Sequence, residues 1–505
     1  MSSSPQAPAP TRNAGRARWW ILVVLAVAQL MVVLDATIVN IALPEAQHSL
    51  GFDDSSRQWV VTAYSLTFGG LLLLGGRISD LFGRKRAFMI GLIGFAAASA
   101  LGGASPNLEV LVTARALQGV FGALLAPAAL SLLTVTFPEG KERAKAFGIY
   151  GAISGAGGAV GLLLGGVLTE YLSWNWCLYV NVPLAVVALV GAAKFLDGRT
   201  AGTETDKPHL DVAGTLLVTL GLFSLVYGLG NSESNGWTDT WTLGFITIGI
   251  VLLAAFVVVE TKVQQPLLPM RVILDRARGT SYLVMLISAV GMFGVFLFLT
   301  FYLQSSLGYS PVVTGLAFLP MVFALAGSAS LIGTVAGQVS PKIRVGVGLA
   351  VAGAGMLYLT RISLDSSYAT DILPGLVVMG IGLGSVFATA MAMATSGVRA
   401  DDAGVASATV NTAQQVGGSI GVALLSSVAA TAGTDYITEN AVAPADGVDP
   451  VTAMQALGRG AEIASYHTAF WWASGFFFAG AVIAAALYPR RVAAHDPNAA
   501  PIIAH

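Results

Sequence analysis

One acid stands alone in the apolar stretches of this chain. Asp35 is the only carboxylate deep inside a hydrophobic run, whereas Glu109, Glu170, Asp211, Glu260 and Asp371 fall at the ends of theirs. A carboxylate in hydrocarbon is costly unless it faces a protein interior and has a partner or a proton, so its presence points to proton or ion handling. A structural ion pair is the plainer alternative. Arg115, the one basic residue well inside such a run, is the natural partner. The run holding Asp35 ends near Leu43, about 12 Å farther along a helix. The run holding Arg115 begins near Glu109, roughly 9 Å before it. If the two helices are antiparallel, the charges share a depth, and protonating Asp35 would weaken the pair and release the arginine. Proton coupling needs a switch of that kind.

A second set of polar side chains, Asn411, Gln414 and Gln415, interrupts the apolar run 403–430. Asn411 and Gln415 are four apart and share a helix face. They line a substrate cavity or hydrogen-bond between helices, and residue type alone does not separate the two. Gly151 and Gly155 are four apart, as are Gly157, Gly161 and Gly165. That spacing puts small residues on one face and lets another helix approach closely.

Other chemistries are excluded or weakly supported. Gly417, Ser419 and Gly421 match the nucleophile-elbow pattern, but they sit inside an apolar helical run rather than on a strand-to-helix turn. The only Gly-Lys pair, Gly140-Lys141, is followed by Glu142 and lacks the glycine of a phosphate-binding loop, so energy must come from an ion gradient or transport is passive. The single cysteine, Cys177, excludes an internal disulfide, and the five histidines lie too far apart for a helical metal-ligand pair. No metal site and no cofactor are expected. A formal charge of -1 leaves no basic face for nucleic acid.

The elements that must position these residues are transmembrane helices. Of 505 residues, 55% are hydrophobic and 10% charged, well short of the roughly 25% charge of a soluble protein. Apolar runs of spanning length fall near 19–43, 59–79, 87–104, 109–136, 146–170, 175–196, 211–230, 241–260, 280–304, 314–336, 344–361, 372–395, 403–430 and 466–488. The first is too long for a signal-peptide core and reads as a retained helix. With the N-terminus in the cytoplasm, the connections predicted external hold only Arg57, Arg361 and Arg459 of the 26 basic residues. The bias fits both termini inside and an even number of spans. The reading is an all-α polytopic membrane protein, multi-pass in the cytoplasmic (inner) membrane, with lipid, protons and a small molecule as its partners.

The chain divides into a tail (1–18), a six-helix bundle (19–196), a connecting region with two additional spans (197–279), a second six-helix bundle (280–488) and a tail (489–505). A faint repeat relates Gly76 and Asp80, after the second span, to Gly333 and Gly337, followed by Lys342 and Arg344, in the second bundle. Two parallel six-span halves are the major facilitator architecture.

The motifs resemble one branch of that superfamily, the fourteen-span drug:proton antiporters of the EmrB/QacA type. LDATIVNIALP (Leu34 to Pro44) resembles the family's first-span signature, and GGRISDLFGRKR (Gly75 to Arg86) its loop between spans two and three. RALQGVFGA (Arg115 to Ala123) resembles the span-four motif, whose arginine is implicated in proton transfer. SWNWCLYVNVPL (Ser173 to Leu184) is similar to the sixth-span entry, and GVRADDAGVASATVNTAQQVGGSIG (Gly397 to Gly421) to the thirteenth span of actinobacterial antibiotic exporters. The resemblance implies a proton-coupled exporter of a drug or antibiotic, with Asp35 and Arg115 in coupling. It also implies that Gly76, Asp80, Gly83 and Arg84 form a conformational-switch loop, Asp80 pairing with Arg84 or with backbone donors. The span-five glycines correspond to the family's antiporter motif, although Gly161 is followed by Leu162 where the family has a kinking proline. A proton-coupled importer of a metabolite with the same fold is the alternative, because fold does not settle direction.

Overall fold

The computed structural model describes residues 12–137, 140–196, 211–264, 266–334, 339–398, 402–441 and 450–489. Most of the two predicted tails, the 197–210 stretch of the first charged connection, Gly337 and the predicted external Gly447 lie outside them. Among the described residues the chain is helical and contains no strand.

The first block comprises α1 (Arg12–Leu50), α2 (Asp54–Phe82), α3 (Arg84–Gly103), α4 (Leu108–Thr136), α5 (Gly140–Tyr171), the short α6 (Trp176–Tyr179) and α7 (Asn181–Phe195). Next come α8 (Val212–Asn235), α9 (Thr240–Glu260) and the short α10 (Met270–Ile273). The second block holds α11 (Arg276–Phe301), α12 (Pro311–Thr334), α13 (Pro341–Leu359), α14 (Leu373–Thr395), α15 (Ala403–Asn440) and α16 (Pro450–Leu487). Among the described residues, 13 helices are long and apolar enough to cross a membrane. The remaining predicted span, 146–170, lies in α5, a helix of 32 residues of which several side chains are outside the description.

Within the first block α1 packs on α5 and α7, and α4 on α2 and α3; within the second, α11 packs on α15 and α16 and α14 on α12 and α13. The blocks meet through α2 against α15 and α5 against α12. The additional pair stands outside this arrangement: α8 packs on α9, α2 and α15. Only 17% of the most apolar stretch of α9 is buried in protein, so its Leu/Ile/Val-rich surface is left for lipid.

Two local features depart from the sequence expectation. The connection expected between Ala430 and Ser465 is largely helix, because α15 continues to Asn440 and α16 begins at Pro450. The extensions hold each other: Ser465 Oγ donates to the Ala429 carbonyl, and a methyl on Gly460 would collide with the Tyr436 ring. Neither extension carries a proline beyond the first residue of α16, so nothing interrupts the helical ladder as it runs past the membrane. The span 175–196 is not one helix but α6 and α7, joined at Val180. Pro183 lacks an N–H, so the carbonyl four residues back, at Tyr179, loses its helical donor, while Val180 keeps right-handed helical angles and the two segments form one span, Trp176–Phe195.

Candidate functional site

Asp35 lies in the middle of α1 and is wholly buried, as is Arg115 on α4 apart from a 2% residue of exposure. Their side chains are in contact, Arg115 Nη1 donating to Asp35 Oδ2 at 2.6 Å. The other carboxylate oxygen, Oδ1, accepts from Gln118 Nε2 at 2.8 Å and Asn181 Nδ2 at 2.7 Å. Two helices supply these donors. Gln118 is one helical turn beyond Arg115 on α4, and Asn181 is the first residue of α7. Ser99 on α3 accepts from Gln118 Nε2 at 2.6 Å and fixes that amide.

Arg115 has partners beyond the acid. Its Nε donates to the Val60 carbonyl at 3.2 Å, its Nη1 to Gln118 Oε1 at 2.8 Å, and its guanidinium lies 4.4 Å from the centre of the Tyr64 ring. The last contact is a cation–π arrangement in a site without water-facing surface. Toward the end of the bundle that carries Asp53, the pair is walled by Val39, Leu43, Val60, Leu111, Trp174 and Leu178.

Ionised, Asp35 is stabilised by a cation and two amide donors, which is what a buried carboxylate requires. Protonated, it loses its attraction for Arg115, but the guanidinium retains a carbonyl, an amide oxygen and an aromatic face. In that state Arg115 is a buried cation without a counter-charge, which costs stability unless the site rearranges.

The glycines of α5 hold α1 in place around this acid. A methyl on Gly161 would fall 2.0 Å from Thr37 Oγ1, one on Gly165 2.9 Å from the Ile38 carbonyl oxygen, and one on Gly157 3.0 Å from Val33 Cγ1. The three positions, four residues apart, seat the α1 backbone on both sides of Asp35. The side-chain environments of Gly151 and Gly155 lie outside the described residues. Leu162, where the resembled family has proline, leaves α5 unbroken, and its carbonyl meets Gly315 on α12.

In the loop motif, Gly83 joins α2 to α3 with φ +93°, a conformation that favours glycine. Gly76 packs against Pro127 of α4. The Asp80 side chain lies outside the described residues, so its pairing with the half-buried Arg84 does too. Two neighbouring cations tie the loop elsewhere: Lys85 Nζ donates to the Leu196 carbonyl at the end of α7, and Arg77 Nη2 to the Pro266 carbonyl ahead of α10.

The polar face of α15 is apart from the Asp35 network. Asn411 is exposed and bonds only within its helix, to the Ser407 carbonyl at 3.3 Å. Gln414 contacts Met285 Sδ at 3.7 Å, and Gln415, beside Gly69 of α2, has a side-chain oxygen without a donor. Between these regions, Ser65 on α2 and Ser419 on α15 share a hydrogen bond of 2.8 Å across the two blocks.

The blocks close on one another at the Asp53 end. Gln304 Nε2 donates to the Ile41 carbonyl at 3.0 Å, Arg57 lies 4.3 Å over the Phe301 ring, and Glu170 Oε2 accepts from the Val312 backbone N–H at 3.0 Å. Glu170 thus places a carboxylate at the start of α12, where a helix favours negative charge.

The family model for the Major Facilitator Superfamily matches residues 25–422. The chain belongs to the major facilitator superfamily. Its Asp35 network, the α5 glycines and the α2–α3 turn all lie within the matched region. A puromycin resistance protein of Streptomyces alboniger is 47% identical over 98% of this chain and 96% of its own length. A cephamycin export protein of Amycolatopsis lactamdurans is 38% identical over 81% of this chain and 84% of its own length. Among solved structures, the POT family transporter PepTSo superimposes with a TM-score of 0.66 at 15% identity, covering 96% of this chain and 98% of that one, which shows a shared fold. As a member of the superfamily the chain is a multi-pass membrane transporter.

Proposed function

We propose that this transporter is a proton-coupled antiporter that exports an antibiotic and confers resistance to it. The carrying observation is the buried Asp35 carboxylate with three donors on it and a cation that keeps other partners when the acid is neutral. Export is supported by the two relatives, whose names state resistance and export, and which align over most of this chain. Substrate exchanges for protons as the two blocks rock about the α2–α15 and α5–α12 contacts. The contacts at the Asp53 end then break, and the opposite end closes.

The chain sits in the cytoplasmic membrane with both termini inside, on the strength of its basic-residue asymmetry. In that orientation the closed end is external and the substrate enters from the cytoplasm. A cysteine replacing Lys207, in a Cys177→Ala background, stays protected from an impermeant external thiol reagent. One replacing Asp53 is labelled. The reverse pattern inverts the layout.

A pump-deficient host expressing the chain tests the function. Resistance to puromycin, cephamycin or a related small molecule is expected, with lower cellular accumulation that a protonophore abolishes. Greater accumulation of the compound with the chain than without it would instead make this a permease of the same fold. In proteoliposomes a pH gradient without nucleotide drives substrate movement.

A further inference from the structure

We propose that Asp211 and Glu260 form a second proton-binding site, a buried carboxyl pair that shares one proton at the base of the additional helix pair. Asp211 precedes α8 and Glu260 ends α9; both are buried, at 7% and 3% exposure. Each carboxyl uses one oxygen on the backbone. Asp211 Oδ1 accepts from the Gly214 N–H at 2.7 Å, capping α8, and Glu260 Oε2 accepts from the Leu268 N–H at 2.9 Å. The remaining oxygens, Asp211 Oδ2 and Glu260 Oε1, are buried with no donor directed at them. Both oxygens crowd one point beside the α8 backbone, at Gly214, and so lie within about 5 Å of each other. A methyl on Gly214 would sit 2.5 Å from one oxygen and 2.6 Å from the other.

Two buried carboxylate oxygens cannot share a site while both ionised, because like charges repel and neither offers a hydrogen. One proton between them removes a charge and supplies the missing donor. A metal ion fits less well. Hard cations take six or more oxygens, and among the described residues no group of three acidic, histidine or cysteine side chains is arranged for one. Among the described residues, the neighbouring charges are engaged elsewhere or exposed. Arg77 of α2 donates to the Pro266 carbonyl, Arg271 of α10 makes a two-point pair with Asp402 ahead of α15, and Lys262 is exposed just beyond α9. The proton therefore binds the two ends of the α8–α9 hairpin to each other and, through Leu268, to the segment that leads into the second block.

The sign of the effect follows from linkage. The unfolded chain releases this proton in the ordinary carboxyl range, so the folded protein binds more protons above that range and loses stability as pH rises. Glu260→Gln imitates the protonated pair: its amide donates to Asp211, and its carbonyl still accepts from Leu268. Asp211→Asn is the second variant, since asparagine also caps a helix. In purified full-length protein the melting temperature of wild type should fall between about pH 5 and pH 9 relative to Glu260→Gln, the two curves converging at the acid end. Infrared difference spectra in D2O should show a protonated-carboxyl C=O band near neutral pH that Glu260→Gln lacks. Gly214→Ala, which wedges a methyl between the oxygens, should lower the melting temperature at all pH values. Parallel pH curves with superimposable carboxyl bands would overturn the proposal. So would a wild-type melting temperature that rises with sodium at fixed pH while Glu260→Gln does not respond, since the occupant would then be a metal ion. Neither result bears on Asp35, which lies in a different network.

Discussion

The Asp35 centre and the polar face of α15 are built from similar side chains in opposite ways. Around Asp35, an arginine, a glutamine and an asparagine from α4 and α7 donate to the acid, the arginine and a serine of α3 also hold the glutamine, and Asn181 Oδ1 is the one unsatisfied atom of that group. On α15, Asn411 bonds only its own helix, Gln414 reaches a sulfur, and Gln415 leaves its oxygen unpaired. Satisfied polar networks are rigid and specific, whereas unsatisfied polar groups retain capacity for another molecule. On that difference we propose ion handling for the first region and substrate contact for the second, and each proposal can be broken separately.

The largest effect is expected at Asp35. Asp35→Asn keeps the size of the side chain and can still receive Arg115 and one amide, so expression and membrane insertion should match wild type. Asparagine does not cycle a proton. Uptake driven by a pH gradient in proteoliposomes should fall to the level of empty vesicles, while exchange of labelled for unlabelled substrate persists. Gradient-driven transport near the wild-type rate would reduce Asp35 to a structural group.

The components of this centre differ in how far they were legible. Asp35 and Arg115 stand out as lone charges in apolar runs, and a rise of about 1.5 Å per residue places them at one depth. Whether they face each other depends on helix rotation, which hydropathy does not record. Gln118 and Asn181 lie inside stretches already conspicuous, RALQGVFGA and SWNWCLYVNVPL. An amide one turn from a buried arginine, and an asparagine two residues before a proline, were the available signals. Ser99 carries no signal, because serine is tolerated in any span. The Asp211–Glu260 pair is hidden in the sequence for a different reason. Each sits at a span end, where an acid is unremarkable, yet two successive antiparallel spans of similar length bring the start of one beside the end of the next. The fourteen-span layout was readable from hydrophobic runs, but the helical extensions of α15 and α16 were not, since their Ala- and Gly-rich sequence resembles a loop.

Arg115→Ala should come second, and its effect should be on stability rather than on coupling alone. It leaves the Asp35 carboxylate with two amide donors and no cation, a loss of about 3–5 kcal/mol for a broken buried pair. Low yield and a lowered melting temperature are expected. Combining Asp35→Asn with Arg115→Gln removes both charges together and should restore yield without restoring gradient-driven transport. If the single arginine variant is as stable as wild type, the pair is not the anchor its geometry indicates.

A smaller effect belongs to the glycine face that seats α1. Gly161→Ala places a methyl 2.0 Å from Thr37 Oγ1, an overpacking that costs about 1–3 kcal/mol. Thr37→Ala removes the colliding oxygen, so the double variant should recover most of the lost melting temperature. Recovery of stability without recovery of transport would show that the exact seating of Asp35 matters beyond helix contact.

The smallest effect, and the one that tests the other side of the comparison, is expected on α15. Gln415→Ala keeps the carbon that packs beside Gly69 and deletes a buried oxygen that bonds nothing. Removing an unsatisfied acceptor gives up no hydrogen bond, so the melting temperature should hold or rise. Asn411→Ala removes an exposed amide held only by its own helix, with a similarly small effect on stability. If these groups contact substrate, each truncation should change apparent affinity by about two- to twelvefold, the worth of one hydrogen bond of about 0.5–1.5 kcal/mol. The change should differ among antibiotics with different donors and acceptors, while the dependence of transport on the pH gradient stays as in wild type. A uniform loss of transport for every compound, together with a lower melting temperature, would instead assign these side chains to helix packing. The contrast between a hydrogen-bonded ion centre and an under-bonded α15 face would then fail on the α15 side alone, leaving the Asp35 centre to be judged by its own variants.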